Sequence, residues 1–282
     1  MSDNENRLRV LLTGAAGRIG VPFTEHVGDR YALRLAAHHP EKIADPGAHE
    51  LIGLELADLE ACRAACEDID VVVHMGGIAS PGVGFYDGLL DANIKGVYNI
   101  LRAAKDQGCR RVIIASSVQA VAGYPLDVQV RTTDAPRPVN MYGVCKAFAE
   151  AACHHFAVVE GLSCIAVRIG SVDADWVRKD LNARNLSTYI SQRDMSEMLV
   201  RCIEVPDVDF AIVHGASDNR YKFLDMRDTR EVLEFTPQDD AFRVFKVGLD
   251  YSERWYERTP QDGNVRARES EVQSRKSRSQ KS

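Results

Sequence analysis

Residues 8–20, LRVLLTGAAGRIG, pass from a short continuous apolar run directly into glycines at 14, 17 and 20. An apolar run closed by such a turn reads as a strand buried on both faces. The helical pattern that follows, 17–27, brings the positive end of a helix to that turn, where backbone amides hold a pyrophosphate. Glycine suits the position because the chain must turn tightly and let phosphate oxygens approach the backbone. A turn that serves packing alone could carry the same glycines. The strand before it and the helix after it favour a dinucleotide site.

The same alternation continues outward. Further short apolar runs fall at 31–37, 51–56, 70–75, 111–116 and 163–168, with helical patterns at 59–67, 85–107 and 139–160 between them. Continuous rather than alternating apolar strands, joined by helices, define an α/β fold: a doubly wound parallel Rossmann sheet. Residues 1–170 form the dinucleotide-binding core of this reading. Residues 171–258 are expected to pack beside it as a small substrate-side cap. Within them 173–186 is charged and irregular, 193–204, 227–233 and 241–256 are helical, and 210–214 is a short strand. Residues 259–282 are polar, rich in Ser and Arg, and expected to stay unfolded because they have too little apolar surface to offset ordering.

Composition narrows the class. Of the 282 residues 45% are hydrophobic, ample for a large core, and the net charge of -6 leaves no basic stripe for nucleic acid. The polar, acidic start has no apolar segment behind a basic end, and no run approaches the roughly 20 apolar residues of a membrane span. A soluble cytoplasmic protein is expected. The seven cysteines are scattered and form no Cys-x-x-Cys pair, which suits free thiols in a reducing compartment. Cys62 and Cys66, and the adjacent pairs His38-His39 and His154-His155, lack the second ligand pair or common face that a metal needs. No metal is expected.

The end of the second strand reads the adenosine ribose. A carboxylate there binds the hydroxyls of NAD and repels the 2′-phosphate of NADP. Here the position falls on Ala37, followed by His38 and His39, with Lys42 and Arg18 within reach. Either NAD or NADP is admissible, with a slight lean to NADP. Asp58 could receive the adenine amine, and N-capping of the helix that begins at Leu59 explains it equally well.

Tyr142 and Lys146 stand four apart in MYGVCKAF, on one helix face. A tyrosine that serves as a base near neutral pH must fall from a pKa of about 10 toward about 7, roughly 4 kcal/mol of preferential stabilisation of the phenolate. A neighbouring ammonium is a source of it. An exposed amphipathic helix would carry the same pair. The strand 111–116 ends in Ser116-Ser117, which delivers hydroxyls to the same sheet edge and makes the combination specific.

With these residues in place, the chain resembles the extended short-chain dehydrogenase/reductase superfamily, also described as NAD-dependent epimerases/dehydratases, over roughly residues 8–250. The likeness rests on TGAAGRIG, Asp58 in LADL, HMGGIA, Asn93 in DANIKGVYN, Ser117 and YGVCK. It implies that Tyr142 is the acid/base, that Lys146 lowers its pKa and holds the nicotinamide ribose, and that Ser117 bonds the reacting oxygen. It implies cofactor contacts at Gly14, Gly17, Arg18, Ile19, Gly20, His38, Asp58, Leu59, Gly76 and Asn93. For Asn93 a structural role inside its helix is an equal alternative. Many relatives pair through the helices expected at 85–107 and 139–160, so the resemblance also implies a homodimer.

The segments RIGS (168–171), ARNLSTYISQRD (183–194), VHGASDN (213–219) and FTPQDDA (235–241) are similar to the uronate dehydrogenase branch. That branch oxidises cyclic sugars at the anomeric carbon. The match implies that Arg184 binds an anionic group of the substrate and that Ser171 and Ser80 line the pocket; a surface arginine is the alternative for Arg184. The branch follows its catalytic serine with Asn-His, where this chain has Val118-Gln119. An apolar Val118 beside the hydroxyl would leave sugar hydroxyls poorly paired, which shifts the expected substrate away from uronate. The expectation is an NAD(P)-dependent oxidoreductase acting on a sugar, sugar acid or small polyol. An epimerase or dehydratase, and a dinucleotide sensor without catalysis, are the alternatives.

Overall fold

The computed structural model describes residues 7–247. In chain order the elements are β1 (Arg9–Thr13), α1 (Gly20–Val27), β2 (Ala32–Ala37), β3 (Glu50–Gly53), α2 (Leu59–Cys66), β4 (Val71–His74), a wide π-helical stretch (Phe85–Lys95) and α3 (Gly96–Asp106). There follow β5 (Arg111–Ser117), α4 (Met141–Val158), β6 (Ser163–Ile169), α5 (Ala174–Lys179), α6 (Ala183–Thr188), α7 (Gln192–Glu204), β7 (Phe210–Gly215), α8 (Arg227–Leu233) and α9 (Ala241–Val244).

The strands form one parallel sheet in the order β3-β2-β1-β4-β5-β6-β7. It is the doubly wound Rossmann arrangement. The chain moves out to β3, returns past β1 to β4, and leaves a switch point between β1 and β4 where a ligand crevice forms. The apolar side chains of β1, β4, β5 and β6 are buried on both faces. One face packs Val10, Leu12, Val73, Ile113 and Ile165 against Phe23 of α1 and Met198 of α7. The other packs Leu11, Val72, Val112 and Ile114 against α2, α3 and α4.

Several boundaries differ from the sequence reading, for physical reasons. The helix expected at 85–107 is broken: Gly88 has φ 149°, and a Cβ there would lie 2.5 Å from Ile78 Cδ1. A wide coil carries the chain from that kink to the regular helix α3. The first helix begins at Gly20 rather than Gly17, because Gly17 still belongs to the turn. The segment 173–186, expected to be irregular, holds two short helices. Asp173 caps α5 by accepting from Trp176 N, and Asn182 caps α6 by accepting from Asn185 N. β7 joins the sheet and α7 packs on α1, so much of the chain after Gly170 belongs to the central layers. The helix expected at 241–256 is seen as Ala241–Val244; its remainder and the expected tail 259–282 lie outside the described residues.

Candidate active site

The Gly-rich turn is packed against the end of β4. Gly14 has φ 70°, and a Cβ there would fall 2.8 Å from Gly76 N and the Met75 carbonyl. A Cβ on Gly20 would fall 2.4 Å from Gly14 O. These contacts make a close cradle of backbone with no room for side chains, as a pyrophosphate site requires, so the residues fit a dinucleotide. Gly17 and Arg18 are exposed on the turn and Ile19 is half-buried. Thr13, at the end of β1, accepts from Gly76 N at 3.0 Å and lies 2.7 Å from His74 Nδ1. Leu56 also borders the crevice: a Cβ on Gly76 would lie 3.1 Å from its Cδ1. Thr13, His74 and Leu56 were not among the expected site residues. The signal for the first two was a polar residue ending an apolar strand.

At the adenosine end, Ala37 is buried and pairs with Gly53. His38 Nδ1 is 3.1 Å from Glu55 and His39 Nδ1 is 3.1 Å from Glu41, so both rings already face carboxylates. Arg18 Nε lies 3.2 Å from Asp173 Oδ2, across the crevice from the turn that carries it. Asp58 Oδ1 accepts from Glu60 N and Ala61 N, which makes it the N-cap of α2, with Leu59 as the first helical residue. Asn93 is buried and uses both amide atoms on Ile78, accepting from its N at 2.8 Å and donating to its O at 2.9 Å. The structural alternative accounts for both atoms of that side chain.

The reacting end converges. Asn140 caps α4 by accepting from Gly143 N, and the helix turns Tyr142 and Lys146 inward, 8% and 6% exposed. Lys146 Nζ donates to Ala115 O at 2.7 Å and stands 5.4 Å from the centre of the Tyr142 ring. Ser117 ends β5, accepts from Gln119 N at 3.2 Å, and faces the Tyr142 phenol. Burial pushes the Tyr142 phenol above its ordinary value, opposed by the Ser117 hydroxyl. The expected depression by Lys146 is not what opposes burial here; that influence comes from Ser117. Burial also drives the Lys146 ammonium down, to about 8.

Of the expected substrate residues, Val118 packs into an apolar cluster with Val121, Val130, Phe223 and Leu224. The Gln119 side-chain oxygen accepts from Asn140 Nδ2 at 2.9 Å and so braces the cap of the helix that carries Tyr142. Arg184 of α6 is half-buried, donates to Ala122 O at 3.2 Å, and holds its guanidinium 5.0 Å from the Phe223 ring centre. Ser171 Oγ is 3.2 Å from Thr188 Oγ1. Ser80 accepts from Gly82 N at 3.4 Å within the loop after β4. Among the described residues no cluster of three or more His, Cys, Asp or Glu side chains could hold a metal. No described helix is long and apolar enough to cross a membrane.

This fold and crevice define a dinucleotide-binding α/β enzyme, and the comparisons agree. The model of the NAD dependent epimerase/dehydratase family matches residues 10–248. An NAD-dependent glucose-6-phosphate dehydrogenase of Haloferax volcanii is 34% identical over 248 residues, covering 82% of this chain and 94% of that protein. A uronate dehydrogenase of Pseudomonas putida is 32% identical over 243 residues, covering 86% and 88%. The uronate dehydrogenase structure from Agrobacterium tumefaciens superposes with a TM-score of 0.75 at 31% identity, covering 91% and 92%. The chain belongs to the NAD dependent epimerase/dehydratase family, in its uronate dehydrogenase-like branch, and is by class an NAD(P)-dependent dehydrogenase/reductase.

Proposed function

We propose that the protein oxidises a cyclic sugar or sugar acid at a hydroxyl-bearing carbon, with Tyr142 as the base. The observation that carries this reading is the meeting of Tyr142, Lys146 and Ser117 where the carboxyl end of β5 meets the first turns of α4. When bound, the nicotinamide accepts the hydride and adds a positive charge that favours the phenolate. Tyr142 Oη takes the proton of the substrate hydroxyl, Ser117 Oγ holds that oxygen, and Lys146 supplies the ammonium that steadies the phenolate. Burial excludes water from the step, which strengthens each of these interactions.

Relatives named for uronate, glucose 6-phosphate and L-arabinose support a sugar substrate. Arg184 would bind the substrate's anionic group, with Ser171 and Ser80 beside the pocket. Val118 and Gln119 stand where uronate dehydrogenases carry Asn-His, which argues for a sugar other than uronate. Both dinucleotides fit the adenosine end: Ala37 removes the carboxylate that would repel a 2′-phosphate, and His38 beside Glu55 forms no strong clamp for one. The seven cysteines are free and buried, which suits the cytoplasm. Exposed apolar side chains on α3 and α4, among them Tyr98, Val144 and Val158, suit a homodimer.

The test is a screen of near-ultraviolet nicotinamide absorbance with NAD and NADP against uronic acids, aldoses and sugar phosphates. The reading expects turnover with at least one of them. Dinucleotide binding with no turnover on any would replace it with a sensing role. Sedimentation at the monomer mass would remove the dimer.

A further inference from the structure

Ser116, Glu150 and Arg168 take no part in the chemistry described above, yet they are buried directly beneath it. Arg168 is 1% exposed and Glu150 4%. They meet in a two-pronged ion pair, Arg168 Nε to Glu150 Oε1 at 2.8 Å and Nη2 to Oε2 at 2.9 Å. Glu150 Oε1 also accepts from Ser116 Oγ at 2.6 Å. The remaining guanidinium protons face the carbonyls of Arg131 and Asp134, at 3.3 and 3.4 Å, in the segment that leads from β5 to α4. Ser116, Arg168 and His214 lie side by side in strand register, and His214 Nδ1 contacts Asp225 O at 2.8 Å.

Taking two charges out of water is costly even after relaxation, and replacing a buried ion pair by packed apolar side chains is often neutral for stability. What a two-pronged pair supplies is geometry, because it fixes both the distance and the plane of its partners. The arrangement on α4 gives that geometry a use. Tyr142, Lys146 and Glu150 are four residues apart and share one face. Each meets one of three successive residues of β5: Lys146 is bonded to the Ala115 carbonyl, Glu150 is bonded to Ser116, and Tyr142 faces Ser117. Two of these contacts belong to the proposed chemistry. The third lies on the same helix face, one turn further along.

We propose that Glu150 and Arg168, acting through Ser116, are positioning residues that hold α4 in register on β5, so that Ser117 and Lys146 stay on Tyr142. The pair also steadies the segment 131–134 at the entrance to α4. The inference rests on the role proposed for Tyr142 but not on the identity of the sugar.

The test uses the full chain with NAD bound and two variants. Ser116→Ala removes the tie and leaves the ion pair. Glu150→Met combined with Arg168→Met removes both charges and keeps the volume packed. The first readout is the titration of Tyr142, taken as the difference in tyrosinate absorbance between each protein and its Tyr142→Phe counterpart. The groups that face Tyr142 are Ser117, Cys145 and Lys146. The second readout is kcat against KM on whichever sugar the wild type turns over.

The expected result is a Tyr142 titration moved to higher pH in both variants. The double variant should lose roughly ten-fold or more in kcat, the scale of a sub-ångström misplacement, with KM for NAD within about two-fold of wild type. Ser116→Ala should lose less. Unchanged titration and unchanged kcat in Ser116→Ala, or in a folded double variant, would overturn the proposal. If no sugar is turned over by the wild type while the titration still moves, the positioning role stands and the sugar reading falls.

Discussion

The two ends of the crevice are built on opposite principles. At the adenosine end the polar side chains are exposed and paired with neighbours on the surface, as His38 is with Glu55 and Arg18 with Asp173. At the reacting end Ser117, Tyr142 and Lys146 are all under a tenth exposed and tied to one another or to the backbone. Exposed pairs contribute little and change at little cost, so cofactor choice can drift there. Buried ties are costly to alter, so the proposed chemistry would rest on side chains that resist substitution.

Removing the buried ammonium should have the largest effect. Lys146→Met is expected to lose roughly 10²–10⁴ in kcat, the usual contribution of a group that governs proton transfer. It should also stabilise the dinucleotide-free protein, because a lysine held at about 8 rather than 10.5 burdens the folded state by up to about 3 kcal/mol below pH 8. Loss of the Ala115 hydrogen bond offsets part of this. The wild type should therefore gain stability as pH rises from about 8 through 10.5, where the unfolded lysine still binds the proton that the folded one has released. Thermal melts of both proteins across that range check the claim. An unchanged melting curve would contradict the burial argument.

Next is Arg184→Ala. A charge-assisted contact is worth about 2 kcal/mol, so KM for an anionic sugar should rise roughly thirty-fold, with neutral sugars little affected. Equal loss on both would remove the anion-binding role. Acid stability comes third. Burial lowers His74 to about 3 and His214 to about 4, against 6.5 when unfolded. Both stay neutral in the fold, so their contribution to stability is present above 6.5 and is lost as pH falls through the lower values. Denaturant midpoints that stay flat from pH 7 to about 4 would contradict this. The smallest effect belongs to the adenosine end. Ala37→Asp should cut NADP affinity about ten-fold and strengthen NAD binding, measured by fluorescence titration of the reduced forms.

The parts legible in the sequence were those written in local pattern. Continuous apolar strands gave a parallel sheet, glycines at 14, 17 and 20 marked the crevice, and the spacing of Tyr142 and Lys146 placed them on one face. What escaped depends on partners far along the chain. Gly88 breaks a strongly helical pattern because Ile78 packs against it, and no periodicity carries that contact. Gln119 looked like a pocket residue until Asn140, brought beside it by the fold, took its side-chain oxygen. The pairing of Ser116 with Glu150 and Arg168 joins three elements at once. The raised value of Tyr142 follows from burial, which spacing does not report.

The central claim is that Tyr142 moves the proton while the glycine turn holds the cofactor, and one comparison tests it most directly. Tyr142→Phe removes a single oxygen at the buried end and leaves the adenosine end untouched. Its kcat and its NADH affinity should be measured side by side with those of the wild type. The account predicts that turnover is lost and NADH affinity stays within about two-fold, since the contacts that hold the dinucleotide lie elsewhere. A variant that keeps turning over substrate at the wild-type rate would contradict it.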